Sequence, residues 1–246
     1  VIDREPEIRS PEEAVSAVEE HGIRIRDLSY RYLEDGAPAL SGIDIDVPEG
    51  QTIGILGRTG AGKSTLVSLL PRIIDPPPGT VYLGSRDVRD YDLHTLRSAF
   101  AVVPQDTFLF SATIAENIRF AAEGADNELV SEVADISTIS RDVENFPEGW
   151  ETLVGERGVT LSGGQKQRVA ISRALAAARP ILVLDDALSA VDTESEEKIL
   201  SGLLEERRGR TNIIIAHRVS ALARSDYIYV LEEGRVVQHG THGELI

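Results

Sequence analysis

Four short runs of consecutive apolar residues punctuate the chain, and each leads into glycine or polar residues. Thr52 to Leu56 leads into Gly57, Phe100-Ala101-Val102-Val103 towards Gln105, Ile181-Leu182-Val183-Leu184 into Asp185-Asp186, and Ile213-Ile214-Ile215 towards His217. Runs of this length without alternation suit strands buried on both faces of a parallel sheet. Polar groups at four strand ends predict one shared crevice, because ligands of open α/β sheets bind beyond the carboxyl ends of the strands. Helical patterns lie between these runs: Thr65 to Leu70, which Pro71 would stop, then Asp126 to Ala134, and Gln165 to Ala178. Thr193 with Glu196 reads as a capping box opening a helix through Leu203, with Gly209 suited to its end. Pro76-Pro77-Pro78-Gly79 predicts a stiff turn before a strand at Val81, and Tyr30 and Tyr32 fall two apart at a strand ahead of Gly57. The expected class is α/β.

Two glycine-rich stretches carry the candidate chemistry. Gly57-Arg58-Thr59-Gly60-Ala61-Gly62-Lys63-Ser64 stands between a strand and a helix, the context a P-loop requires. Gly57, Gly60 and Gly62 let successive N–H groups turn towards a β-phosphate, with the positive end of the helix dipole behind them. Lys63 would reach the β- and γ-phosphates and Ser64 would ligate magnesium, while Arg58, Thr59, Ala61 and Thr65 complete the nucleotide-contacting loop. The second stretch, Leu161-Ser162-Gly163-Gly164-Gln165, sets a hydroxyl and two glycines at the start of a helix and so builds another anion site. An ordinary capped helix has the same local pattern. A P-loop needs a carboxylate opposite it, and Asp185 fits as the magnesium ligand, direct or through water; Gln105 fits as a contact to metal and water. Taken singly, a strand-end Asp also serves as a helix cap, and a lone Gln or His as a solvated loop residue.

With the P-loop, the Leu161 to Gln165 signature, Asp185, Ser189-Ala190-Val191-Asp192 and His217 in this order, the chain resembles the nucleotide-binding domain of an ATP-binding cassette transporter from about Ile23 to its last residue. The resemblance implies a P-loop NTPase core with a mixed, largely parallel sheet, an N-terminal antiparallel β subdomain and an inserted α-helical subdomain at 106–158. Gly155-Glu156-Arg157-Gly158, and Thr107-Phe108-Leu109-Phe110-Ser111 with Ile114-Ala115-Glu116-Asn117-Ile118, resemble exporters more than importers. ATP and magnesium are the implied cofactors. Two domains of this kind pack head to tail, so Ser162, Gly163, Gly164 and Gln165 would close over ATP held by a second domain's P-loop. By its place in the family motif Tyr32 is the aromatic that stacks on adenine, His217 the γ-phosphate contact, and Gln105 the hinge of the helical subdomain. Phe108, Leu109 and Phe110 would form an apolar patch near the cytoplasmic ends of transmembrane helices, or else pack into the core.

One position departs from the family. Asp186 stands where most such domains carry the glutamate that polarises the attacking water, so the carboxylate is one methylene short. A base must lie within hydrogen-bond reach of its proton, so this chain's own site is expected to bind ATP and hydrolyse it slowly. Heterodimeric exporters pair such an aspartate-bearing chain, its signature intact, with a glutamate-bearing partner. A homodimer of low turnover and a regulatory module with negligible hydrolysis are the alternatives.

Composition sets limits. The net charge of −16 argues against nucleic acid as a partner, because a phosphate backbone calls for a basic surface. The absence of cysteine excludes a disulfide framework and thiolate metal sites. Only 98 positions separate Lys63 from Leu161, too few for the coiled-coil insertion of chromosome-associated cassette ATPases. With no methionine and an acidic, proline-bearing start, residues 1–22 resemble the linker from an exporter's membrane domain. The resemblance thus implies transmembrane domains, expected on the same polypeptide, and a place at the cytoplasmic face of the inner membrane. Ser10-Pro11-Glu12-Glu13 would open a short helix or lie in a disordered tether.

Overall fold

The computed structural model describes residues 7–122, 124–155 and 160–245. In chain order it begins with strands β1 (Ile23–Tyr30), β2 (Leu40–Val47) and β3 (Thr52–Gly57), helix α1 (Lys63–Leu69), strands β4 (Val81–Leu83) and β5 (Arg86–Asp87), helix α2 (Leu93–Ser98) and strand β6 (Phe100–Val103). Helices α3 (Ile114–Arg119), α4 (Asn127–Ile136), α5 (Ser140–Val143) and α6 (Gly163–Ala176) follow. Strand β7 (Ile181–Asp185), helix α7 (Thr193–Glu206), strands β8 (Thr211–Ala216), β9 (Tyr227–Glu232) and β10 (Arg235–Gly240), and helix α8 (His242–Leu245) complete it. Backbone contacts group the chain into two units, one formed up to Phe100 and again from Gly209, the other by Ala101–Arg208.

The first unit contains an antiparallel sheet of order β2-β1-β4-β5. Alternation drives it: Ile23, Ile25 and Leu28 of β1 and Ile43, Ile45 and Val47 of β2 are buried while their neighbours face outward. The register shifts between Ile25 and Leu28, where Asp27 takes φ +43°, so the inward face is recovered after an extra residue. In the same unit β3 runs parallel to both β8 and β9, and β9 pairs antiparallel with β10. The β9–β10 turn is Glu233-Gly234, both at positive φ, as a tight two-residue hairpin demands. β8 is buried along its whole length and β3 at all but one residue, as their unbroken apolar runs predict.

Residues 7–22 correct the expectation of a short helix or a loose tether. They form no helix; Val15 bridges to Tyr91, Ser10 Oγ donates to Asp92 and accepts from Leu93 N, and Arg72 donates to Arg9 O. Buried Arg72 and the Asp92 cap of α2 thus give this polar segment partners that sequence alone does not show.

In the second unit β7 lies beside β6, and every residue of β7 is buried. Between β6 and α6 the backbone is helical. Thr113 and Glu116 form a reciprocal capping box on α3, and Asp126 caps α4 by accepting from Leu129 N. Both helices pack on α6, where the buried hydroxyls of Ser137 and Ser172 meet at 2.7 Å. The start of α7 differs from the expected Thr193–Glu196 box by one residue. Asp192 is the cap, accepting from Ser195 N at 2.9 Å, which holds its carboxyl below the usual carboxylate range, and Glu196 is buried instead. Of Gly155-Glu156-Arg157-Gly158, only Gly155 lies within the described residues. No helix among the described residues is long and apolar enough to cross a membrane.

The segment before α3 is built by two side chains. Asn117, fully buried, donates its amide to Phe110 O and Thr113 O and accepts from Phe110 N. Arg173 of α6 donates to Asn117 O, Asn117 Oδ1 and Phe108 O and lies over the Phe110 ring. Phe108 is exposed as expected, Leu109 and Phe110 are half-buried, and exposed Phe120 extends the patch by stacking on Phe110 at 4.1 Å.

Candidate functional site

The first unit brings together the P-loop, Tyr32 and His217. β3 delivers Gly57 at its carboxyl end, where a Cβ would lie 2.7 Å from Leu231 O of the neighbouring β9. Gly60 and Gly62 take φ +84° and +98°, and a Cβ on Gly62 would lie 2.6 Å from Ala39 O. Any side chain at Gly57 or Gly62 therefore collides with backbone, whereas space at Gly60 is open. Gly62 is also the N-cap of α1 and supplies no side-chain cap, which leaves the first-turn N–H groups of that helix to other acceptors. Lys63 is buried, and its ammonium spans the loop, donating to Gly57 O at 2.8 Å and Arg58 O at 3.1 Å.

Around the loop, Ser64 is exposed at the start of α1, Arg58 and Thr59 are exposed, and Ala61 is buried with its carbonyl accepting from Gly234 N. Thr65 is buried and its hydroxyl bonds the Tyr32 hydroxyl at 3.0 Å. Tyr32 lies beyond the end of β1, edge-on to Tyr30 at 5.3 Å and 62% exposed, so the alternation of β1 does not govern it and one ring remains available for stacking. His217 follows Ala216, the register partner of Leu56, so His217 and Gly57 leave adjacent parallel strands at the same level.

The second unit gathers Asp185, Asp186, Gln105 and the signature stretch. β7 ends at buried Asp185, and Asp186 follows at φ +47°. Left-handed backbone is uncommon off glycine, and aspartate enters it more readily than most residues. Gln105, two residues past β6, is exposed. Ser162 caps α6 with Gln165 reciprocally: Gln165 N donates to Ser162 Oγ at 3.3 Å, and Ser162 N to Gln165 Oε1 at 2.9 Å. A Cβ on Gly164 would lie 2.7 Å from Ala190 O, so glycine permits the close approach of α6 to the segment after Asp186. Gly163 is exposed beside it.

Three residues unmarked by the motif reading hold this cluster. Gln167, buried, donates to Ser189 Oγ at 3.1 Å and accepts from Ala190 N at 3.0 Å, locking α6 to the segment between Asp186 and α7. Asp142 and Arg168 pair at 2.6 Å beside Gln165. A glutamine two positions beyond a motif and an aspartate on a four-residue helix carry no local pattern that singles them out.

Comparison with known proteins bears on the family and the fold. Residues 40–189 match the family model described as ABC transporter. The chain is 48% identical over 224 residues, covering 91% of its length and 39% of the relative, to an ATP-dependent lipid A-core flippase of Chromohalobacter salexigens. It is 42% identical over 247 residues, 100% of its length and 42% of the relative, to the protein of that name in Vibrio vulnificus. A solved structure of a bacterial Atm1-family ABC exporter with ATP bound superposes with TM-score 0.93 at 39% identity, over 99% of this chain and 43% of that one. The chain thus spans about two fifths of the length of these relatives. Residues, fold and relatives converge: this chain belongs to the ABC transporter family.

Proposed function

We propose that the chain is the ATP-binding and ATP-hydrolysing domain of an exporter, working by ATP-driven head-to-tail closure with a second such domain. The observation that carries this reading is the loop from Gly57 to Ser64. Its two left-handed glycines, the start of α1 without a side-chain cap and a buried ammonium held across its carbonyls supply donors of the kind a polyphosphate needs. ATP fits this donor set. Among the described residues no group of three His, Cys, Asp or Glu is placed to hold a metal by itself, consistent with a magnesium ion that takes most of its ligands from phosphate oxygens and water. Ser64, Asp185 and Gln105 are the groups proposed to reach it, and bound magnesium would neutralise charge developing on the phosphates.

In this reading Asp186 positions the attacking water and His217 supports it from the γ-phosphate. Tyr32 stacks on the base, and the Ser162 to Gln165 stretch closes on the nucleotide of the partner. The shorter Asp186 carboxylate makes this chain's own site slow, and the partner is a non-identical chain with glutamate at that position. The relatives carry names of flippase and exporter function at lengths more than twice that of this chain, which supports transmembrane domains on the same polypeptide, at the cytoplasmic face of the inner membrane. The Phe108, Phe110 and Phe120 patch, anchored through Arg173 to α6, is the proposed seat of those domains.

Magnesium-dependent ATPase of the intact protein tests the reading. Ser162→Ala should lower kcat/KM roughly tenfold or more, as the loss of a donor to a charged phosphate predicts; hydrolysis indifferent to both magnesium and Ser162 would refute it.

A further inference from the structure

The start of α6 carries a polar network that the phosphate loops do not account for. Asp142 of α5 accepts from Gln165 Nε2 at 2.7 Å through one oxygen and from Arg168 Nη2 at 2.6 Å through the other. The Asp142 and Arg168 side chains are only 23% and 12% exposed, so the pair is largely withdrawn from solvent. Gln165 meanwhile offers Oε1 to the N–H of Ser162. A carboxamide presents an acceptor at one corner and a donor at the other, and an ionised carboxylate only accepts. Asp142 therefore dictates which corner faces it: the amide nitrogen must point to Asp142, which leaves the oxygen to meet Ser162. Turned over, the same amide would set its NH2 against the Ser162 N–H and its oxygen against the Asp142 carboxylate, leaving Arg168 as the partner of Asp142 in this network.

We propose that Asp142 is the positioning residue of the signature loop. By fixing the orientation of the Gln165 carboxamide it sets the backbone and hydroxyl of Ser162 in the geometry presented to a phosphate. Asp142 reaches this point from outside the motif, on the short helix that follows α4, and α4 itself packs on α6. The network thereby ties the pose of the loop to that of the helices before it. The proposal rests on the reading that Ser162 meets the nucleotide of a partner domain.

The test is the ATP dependence of steady-state hydrolysis in the intact protein, with thermal stability measured alongside. Asp142→Ala should raise KM for ATP about tenfold, the size expected from one charge-assisted hydrogen bond, with kcat little changed. Asp142→Asn keeps an oxygen for Gln165 while giving up the ion pair, and should recover most of the lost affinity. In a Gln165→Ala background Asp142→Ala should add nothing further, because it acts through that side chain. An unchanged KM in Asp142→Ala while Ser162→Ala is impaired would overturn the proposal alone, as would full additivity with Gln165→Ala or a fall in stability unaccompanied by any change in KM. A Ser162→Ala protein with unaltered kinetics would overturn the proposal together with the reading beneath it.

Discussion

Replacing Lys63 with alanine should weaken ATP binding and hydrolysis together, by a factor on the order of 100- to 1,000-fold, the loss typical of removing one donor aimed at reacting charge. Lys63 is buried at the first residue of α1, and its ammonium crosses the loop to two carbonyls. Alanine removes the positive charge and at the same time leaves the Gly57 and Arg58 carbonyls without that donor. Arginine is not a conservative rescue, because a planar guanidinium cannot occupy a cage sized for a point-like ammonium. Equilibrium binding of a fluorescent ATP analogue, read beside hydrolysis, measures both losses. Retention of near-normal affinity in Lys63→Ala would show that the loop does not hold the triphosphate.

The second large effect runs in the opposite direction. Asp186→Glu should raise hydrolysis at this chain's own site about a hundredfold, because a displacement of about 1 Å at a reacting group costs that much and the added methylene supplies the reach. The gain comes with a cost to folding. Asp186 stands at φ +47°, a region glutamate enters less readily, so the variant should unfold at a somewhat lower temperature while working faster. Single-turnover hydrolysis reads the chemical step apart from product release, and steady-state rates of the intact protein are measured beside it. An unchanged single-turnover rate in Asp186→Glu would remove the reason for calling this site slow, and with it the case for an unlike partner.

How far the fold could be read beforehand depends on how local each cause is. β3, β6, β7 and β8 were legible as unbroken apolar runs, because a strand buried on both faces leaves no polar position to interrupt it. The glycines of the P-loop are legible as a turn, and Gly60 and Gly62 do take positive φ, but the collisions that require Gly57 and Gly62 come from Leu231 and Ala39, far away in sequence. β9 and β10 carry mixed polarity and are buried at only some positions; the Glu233-Gly234 turn is their clearest local mark. The cap of α7 lies one residue before the one the pattern marks, because Asp192 and Thr193 are both competent caps and the burial of Glu196 decides between them. Residues 7–22 looked like a tether because their partners, Tyr91, Asp92 and Arg72, lie some seventy residues on. Within the candidate site, the sequence singles out residues that belong to a motif and passes over those defined by a hydrogen bond across the fold, Gln167, Asp142 and Arg168.

The central claim, that a triphosphate is clamped between loops lent by two domains, can be measured by cross-linking. The chain contains no cysteine, so introduced thiols report without background. Cysteines at exposed Arg58 in the P-loop and exposed Thr160 just before the signature stretch, joined by a short bifunctional thiol reagent in the intact protein, probe the two loops directly. With magnesium and ATP the expected product links two domains, and it should vanish when Lys63→Ala is added. A link of the same yield without nucleotide, or none between domains under any condition, would contradict the clamp.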